Sequence, residues 1–198
     1  MDTQVGIVGG GPAGLMLSHL LHLQGIEAVI VEARSREKLQ TEVRAGVLEQ
    51  GTVDLLRETG VGERMDREGA VHHGIELRFN RQGHRIPLSD LTDGREIVLY
   101  GQHEVVKDLI STRLDAGGHI IFDAEAVGLH DIESQKPTIR YRHDGQDHEL
   151  RCDVIAGCDG YYGVCRPSIP SEIRTEYERR YPFGWFGILA EAPRRLRS

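Results

Sequence analysis

Six residues near the start of the chain, Gly9-Gly10-Gly11-Pro12-Ala13-Gly14, have the spacing G-x-G-x-x-G. Glycines in this pattern do three separate jobs beside a phosphate. Gly9 permits a tight turn, Gly11 lets the backbone approach a pyrophosphate, and Gly14 lets the following helix lie close on the preceding strand. The helix start adds unpaired N–H groups and the positive end of its dipole. An acid, Glu32, closes the next apolar run and is placed to accept hydrogen bonds from a ribose 2′-hydroxyl. Its charge opposes a 2′-phosphate, so the pattern predicts FAD or NAD at this site rather than NADP. A glycine-rich turn with no ligand is the plain alternative. The strand before the glycines, the helix after them and the acid beyond argue against it.

Three further places carry chemical side chains. Asp159-Gly160 ends the apolar stretch Val154–Ala156, where an ordinary Asx-type turn is the alternative. Arg44 stands with the small pair Ala45-Gly46 just ahead of a helix, where an exposed loop arginine is the alternative. His72 precedes His73-Gly74 and on the residues alone is structural. His19 and His22 share a predicted helix face, but no HExxH and no clustered carboxylates accompany them, so no metal is expected. Cys152, Cys158 and Cys165 have no CxxC spacing, and their odd number leaves at least one unpaired. They read as buried thiols in a reducing compartment.

The elements that must position these residues alternate between helix and strand. Thr3–Gly10 is a buried parallel strand, Pro12 opens a helix closed near Gly25, and Glu27–Glu32 is the next strand, which completes a β-α-β unit. A helix is predicted over Glu49–Glu58 and an amphipathic one over His103–Gly118. One hairpin is expected to turn at Arg81-Gln82-Gly83 and another around Asp144-Gly145, whose second strand runs into Ala156. The class is α/β with antiparallel hairpins added. At 198 residues the chain suits one domain or one and a fraction. Apolar residues make up 39%, an ordinary globular share once the 24 glycines are added. A net charge of −7 argues against a nucleic-acid partner. No apolar run approaches the roughly 18 residues of a membrane span, and the N-terminus has no signal-like region, so the expectation is a cytoplasmic protein without a membrane partner.

Taken in order, "GGGPAGL", "VRAGVLEQGTVDLLRETGVGERM", "VHHGIELRF", "LYGQHEV", "IAGCDGYYGVCR" and "RRYPFGWFGILAEAP" resemble the N-terminal half of the class A FAD-dependent aromatic hydroxylases, and most of all the branch acting on 4-hydroxybenzoate. The first stretch is shared by many FAD proteins, and the others are more specific. The resemblance implies a Rossmann-like FAD-binding domain of the glutathione-reductase type over residues 1–175 and the start of a substrate-binding domain over 176–198. It implies FAD as cofactor, NADPH or NADH as reductant, and transfer of one oxygen atom from O₂ to the ring position ortho to the phenol oxygen. Gly9, Gly11, Ala13, Gly14 and Glu32 would hold the ADP half of FAD, and Arg44 the pyrophosphate. Ala45, Gly46 and Val47 would lie beside the isoalloxazine, Gln102 would bond along the FAD, and Asp159 would approach the pyrophosphate. His72 would end a proton relay to the substrate phenol.

The chain departs from the family pattern at four points. Glu42 stands where an arginine is common, Tyr162 where a histidine is often linked to NADPH, and Cys165 where serine is usual. Arg34 and Arg36 suit a 2′-phosphate while Glu37 and Glu42 oppose it, which predicts dual coenzyme use or an NADH leaning. The family also continues well beyond Ser198, with further flavin, substrate and dimer residues. The 198 residues alone are therefore expected to expose apolar surface and to lack hydroxylase activity, and the family's homodimer is doubtful for them. A hydroxylase of another phenol and a non-catalytic flavin-binding remnant remain the alternatives.

Overall fold

A computed structural model describes residues 1–184 and 186. In chain order the elements are β1 (Asp2–Val8), α1 (Pro12–Leu23), β2 (Ala28–Val31), α2 (Arg36–Thr41), β3 (Val47–Glu49), α3 (Gln50–Glu58), α4 (Glu63–Glu68), β4 (Ala70–His72), β5 (Ile75–Phe79) and β6 (Gln82–Ile86). After these come α5 (Leu88–Leu91), β7 (Ile97–Leu99), α6 (Gln102–Asp115), β8 (His119–Ile121), β9 (Ala124–His130), β10 (Thr138–His143) and β11 (Gln146–Gly157).

The main sheet has the order β8-β2-β1-β11-β10-β9. Its first four strands are parallel, with β1 between β2 and β11, and β10 and β9 then return antiparallel. Parallel strands covered on both faces read as unbroken apolar runs, and all four residues of β2 are buried. On one face Ile7 and Ile30 pack with Leu15 of α1 and Leu109 and Ile110 of α6. On the other, Val29 and Val31 meet Ile139, Leu150 and Cys152, where the β9-β10-β11 meander folds over. Burying one such aliphatic side chain contributes about 1.5–3 kcal/mol. The buried Arg113 donates to Ser18 Oγ at 3.1 Å and so ties α6 to α1.

The expected β-α-β unit is present, with β1 ending at Val8 and α1 opening at Pro12. The helix predicted over Glu49–Glu58 begins at Gln50, and the one predicted over His103–Gly118 spans Gln102–Asp115. The hairpin around Asp144-Gly145 forms, with both residues at positive φ (49° and 73°). The other hairpin turns one residue earlier than expected. Its two turn residues are Asn80 and Arg81, at φ 50° and 63°, while Gly83 pairs with Arg78 inside the ladder. A two-residue turn of this kind needs left-handed backbone at both positions, and of the expected turn residues Arg81, Gln82 and Gly83 only Arg81 is one of them. The three-stranded sheet β3-β7-β4 was not foreseen, because strands of three residues carry no readable periodicity.

One face of that small sheet turns Val98 inward against Met65 and Leu56. On its other face Val47 and Leu99, paired across β3 and β7, are exposed, as are Leu77 and Phe79 on the β5–β6 hairpin. The segment after β11 forms turns to Ile173, and its described residues beyond carry no helix or strand. Trp185 and residues 187–198 of the expected substrate-domain start lie outside the described residues. No helix among the described residues is long and apolar enough to cross a membrane.

Gly14 and Gly11 give the fold a paired test. A Cβ at Gly14 would run into the Gly9 carbonyl oxygen, whereas one at Gly11 meets nothing within 4 Å. Gly14→Ala is expected to destabilise the chain by about 1–3 kcal/mol in urea unfolding, because backbone cannot move aside cheaply. Gly11→Ala is expected to cost under about 1 kcal/mol, the ordinary loss of a glycine N-cap.

Candidate functional site

The chain turns from β1 into α1 through Gly9, whose φ of 102° suits glycine alone. Gly9 donates its N–H to Val31 O at 2.8 Å, and Cys158 donates to Val8 O at 2.7 Å. The ends of β1, β2 and β11 are thus tied at one level. Gly11 is the N-cap of α1, with Pro12 at the first helical position, and no side chain among the described residues caps this end. Proline suits that position because its missing N–H costs nothing there. The space beside Gly11, at the positive end of α1, is open, since a Cβ there would meet nothing within 4 Å.

Glu32 directly follows β2 and is 3% exposed. Its Oε2 accepts from Gly10 N at 2.6 Å, and its Oε1 accepts from Arg34 N and Arg34 Nε, both at 2.8 Å. The carboxylate that the sequence assigns to a ribose also holds the glycine loop. Arg34 continues outward, with its Nη1 3.0 Å from Glu42 Oε2. Arg44 approaches Glu42 Oε1 at 2.7 Å. The hydrogen bond from Arg44, with that from Arg34 behind it, holds the Glu42 carboxyl below the usual range. The hydrogen bond to Glu32 raises Arg34 above its ordinary value.

A cleft of about 570 Å³ opens between these elements. Gly9, Gly11, Glu32, Arg44, Gln102 and Asp159 all line it. Ala13 and Gly14, in the first turn of α1, do not line it, and Ala13 instead lines a second cavity of about 790 Å³ together with Asp159 and Gly160. Gln102 opens α6 after Gly101, and this corner is pinned by Gly46. Tyr100 donates to Gly46 O at 2.8 Å, and a Cβ on Gly46 would overlap the Tyr100–Gly101 backbone. Gly46 thus reads as a close-approach glycine that fixes the loop carrying Arg44. Ala45, Gly46, Val47 and His72 are not among the cleft's lining residues. The small sheet nevertheless brings two of them together. Val47 pairs with Leu99 on β7, and Ile97, two residues away on that strand, pairs with His72. Alternation places Val47 and His72 on one sheet face.

Asp159 sits beyond β11 at the cleft, but its carboxylate closes its own loop. Asp159 Oδ2 accepts from Cys165 N at 2.9 Å, and Gly163 is required because a side chain there would overlap that carboxyl group. Gly160, at φ 75°, makes the turn. Tyr161 and Tyr162 meet edge to face with centroids 4.9 Å apart, and Arg166 stacks on Tyr161 at 4.3 Å. Tyr162 is 96% exposed on the cleft wall. Sequence reasoning noticed Arg34 without its bond to Glu32, and it missed Glu125 and Ala126, which reach the cleft from β9. No local signal marks a strand that arrives across the sheet. The three cysteines are free thiols, and no group of three or more His, Cys, Asp or Glu among the described residues is placed to hold a metal.

Burial, then the neighbouring Asp159, pushes the Cys165 thiol up to about 12. A thiol reacts as its thiolate, and an unperturbed cysteine is half ionised at about pH 8.5. Cys165 stays protonated until far higher pH, so alkylation by iodoacetamide at pH 8 is expected to be slow at this residue. Asp159→Asn removes the raising charge and should speed the modification several-fold, as read by peptide mass spectrometry.

The chain matches the FAD binding domain family over residues 2–197. It is 46% identical over 193 residues to the p-hydroxybenzoate hydroxylase of Acinetobacter baylyi, covering 98% of this chain and 48% of that protein. It is 30% identical over 159 residues to Monooxygenase 1 of Arabidopsis thaliana, covering 78% of this chain and 37% of that protein. The fold resembles crystal structures of p-nitrophenol 4-monooxygenase PnpA from Pseudomonas putida (TM-score 0.75, 20% identity, 85% of this chain and 44% of that one) and of PqsL from P. aeruginosa (TM-score 0.75, 24% identity, 92% and 49%). The chain spans about half the length of the p-hydroxybenzoate hydroxylase, or less of the other curated relatives it matches. The glycine turn, the buried Glu32 and the cleft they shape belong to a protein of the FAD binding domain family.

Proposed function

We propose that the chain is the FAD-binding portion of an aromatic hydroxylase that converts 4-hydroxybenzoate to 3,4-dihydroxybenzoate, with NADPH or NADH as reductant and O₂ as oxygen source. The observation that carries this reading is the 46% identity to p-hydroxybenzoate hydroxylase, maintained over 98% of the chain. In this reading residues 1–175 form the flavin domain, residue 176 onward begins the substrate domain, and the complete protein is a cytoplasmic homodimer.

The residues at the cleft fit the cofactor. Gly11 presents open backbone where a pyrophosphate must approach, and the uncapped start of α1 offers N–H donors to it. Arg44 supplies a guanidinium fork for phosphate oxygens. Glu32 keeps acceptor capacity for a ribose hydroxyl while it holds Gly10. Gln102 adds an amide to the same lining. FAD, when bound, supplies the hydride acceptance and oxygen activation that no side chain provides. The protein contributes position and proton handling. Val47 and His72 share one face of the small sheet, and in this reading Val47 would lie beside the flavin ring and His72 would end a proton relay to the substrate phenol. There His72 would receive or return a proton through its ring nitrogens.

Flavin titration and product analysis test this reading. The chain is expected to quench FAD fluorescence stoichiometrically, and Gly11→Ala to weaken binding about tenfold, or about 1.4 kcal/mol, with little change in stability. The 198-residue chain is expected to show no 4-hydroxybenzoate-dependent NADPH or NADH oxidation. A polypeptide that also carries the relatives' second half is expected to form 3,4-dihydroxybenzoate. Turnover of a different phenol only would sink the substrate assignment, and failure to bind FAD would sink the cofactor assignment.

A further inference from the structure

Glu42 lies just outside the cleft and binds both of its cations. Among the residues lining the cleft, the guanidiniums are Arg34 and Arg44 and the carboxylates are Glu32, Glu125 and Asp159, so negative groups already outnumber positive ones. Glu42 bridges the two arginines, with Oε1 2.7 Å from Arg44 and Oε2 3.0 Å from Arg34. A dinucleotide brings a doubly charged pyrophosphate to this site and needs those cations. Resting on the reading that the cleft takes FAD, we propose that Glu42 is an affinity-setting residue that competes with the ligand's phosphates for Arg44.

The geometry lets Arg44 change partners while the rest stays in place. Glu42 is the C-cap of α2, and its N–H donates to Lys38 O at 3.0 Å, so its backbone is anchored. Downstream, the loop is anchored by the Gly46 carbonyl on Tyr100 N. Between these anchors the Arg44 side chain is 55% exposed and can turn without breaking a core contact. When Arg44 leaves, Glu42 keeps Arg34 as a partner, so no unpaired charge is left behind. Arg34 is itself held by Glu32 through both its backbone N–H and Nε, and it does not need Glu42 to keep the glycine loop in shape. The exchange therefore sets one carboxylate against two phosphates over a single guanidinium. Its outcome is the difference between two partly screened attractions.

FAD titrations of the chain and four variants test this, with riboflavin, which has no phosphate, as the control ligand. Glu42→Gln is expected to tighten FAD binding about three- to tenfold at low ionic strength, with the gain shrinking as salt is added. Riboflavin affinity is expected to be unchanged. Arg44→Ala should weaken FAD binding, and in that background Glu42→Gln should give little further gain, because the cation it would release is gone. Glu42→Ala, which also removes the charge, should behave as Glu42→Gln does, and matching thermal melts confirm that each variant is folded. Equal or weaker FAD binding by folded Glu42→Gln overturns the inference. A full gain that persists without Arg44 also overturns it, because Glu42 then acts through the general field and not by holding that side chain. Absence of FAD binding by the unsubstituted chain and all variants alike overturns the flavin reading itself.

Discussion

The carboxylate of Glu32 is the knot on which the site depends. Its side chain binds Gly10 N and Arg34, its backbone N–H donates to Ile121 O at 2.9 Å, and its carbonyl accepts from Ala124 N at 2.9 Å. One residue thus joins the glycine turn, the end of β2, the end of β8 and the start of the meander. A carboxylate this deeply buried is tolerable only when its oxygens are satisfied, and here two backbone N–H groups and the Arg34 guanidinium meet them. The same bonds orient the turn so that the open backbone of Gly11 and the start of α1 face the cleft. Geometry at the site and stability of the sheet edge are therefore one problem with one solution.

Charge around the cleft is organised as a relay outward from that knot. Glu32 holds Arg34, Arg34 reaches Glu42, and Glu42 reaches Arg44. Each inner member is fixed by burial or backbone bonds, and freedom grows toward the rim. A site arranged in this way could take an anion by moving only its outermost cation, which costs less than rebuilding its interior. On the opposite wall Asp159 spends its carboxylate on its own loop. What it offers the cleft is a shaped backbone turn with an exposed tyrosine beside it, more than a charge.

The parts of this molecule legible in the sequence are those whose cause is local. Gly9, Gly11 and Gly14 are marked by their spacing, and the structure shows why Gly9 and Gly14 lack a side chain and leaves open space beside Gly11. The meander hairpin was readable because Asp144-Gly145 is a turn pair wherever it occurs. Where two local signals competed, the reading slipped. The other hairpin turns at Asn80-Arg81 and not at the expected Arg81-Gln82-Gly83, and only strand register settles which pair must adopt left-handed backbone. The sheet of β3, β7 and β4 was invisible because each strand is too short to show a pattern. The roles of Gly46 and Gly163 were hidden for a different reason, since their crowding partners lie elsewhere in the fold or in a loop whose shape had to be known first.

The sequence by itself determined the β-α-β unit, the glycine turn within it, the acid that follows its second strand and, through its match to relatives, the FAD binding domain family. Short-range spacing and composition suffice for these because strand, tight turn and helix start are decided within a few residues. Tertiary structure alone decided that Arg34 and Arg44 share Glu42, that Glu125 reaches the cleft and that Val47 and His72 lie on one face. It also decided that Asp159 turns its charge inward. These facts depend on which strands pair and in what register. Register is set by the burial of whole faces at once, so no single stretch of the chain contains it.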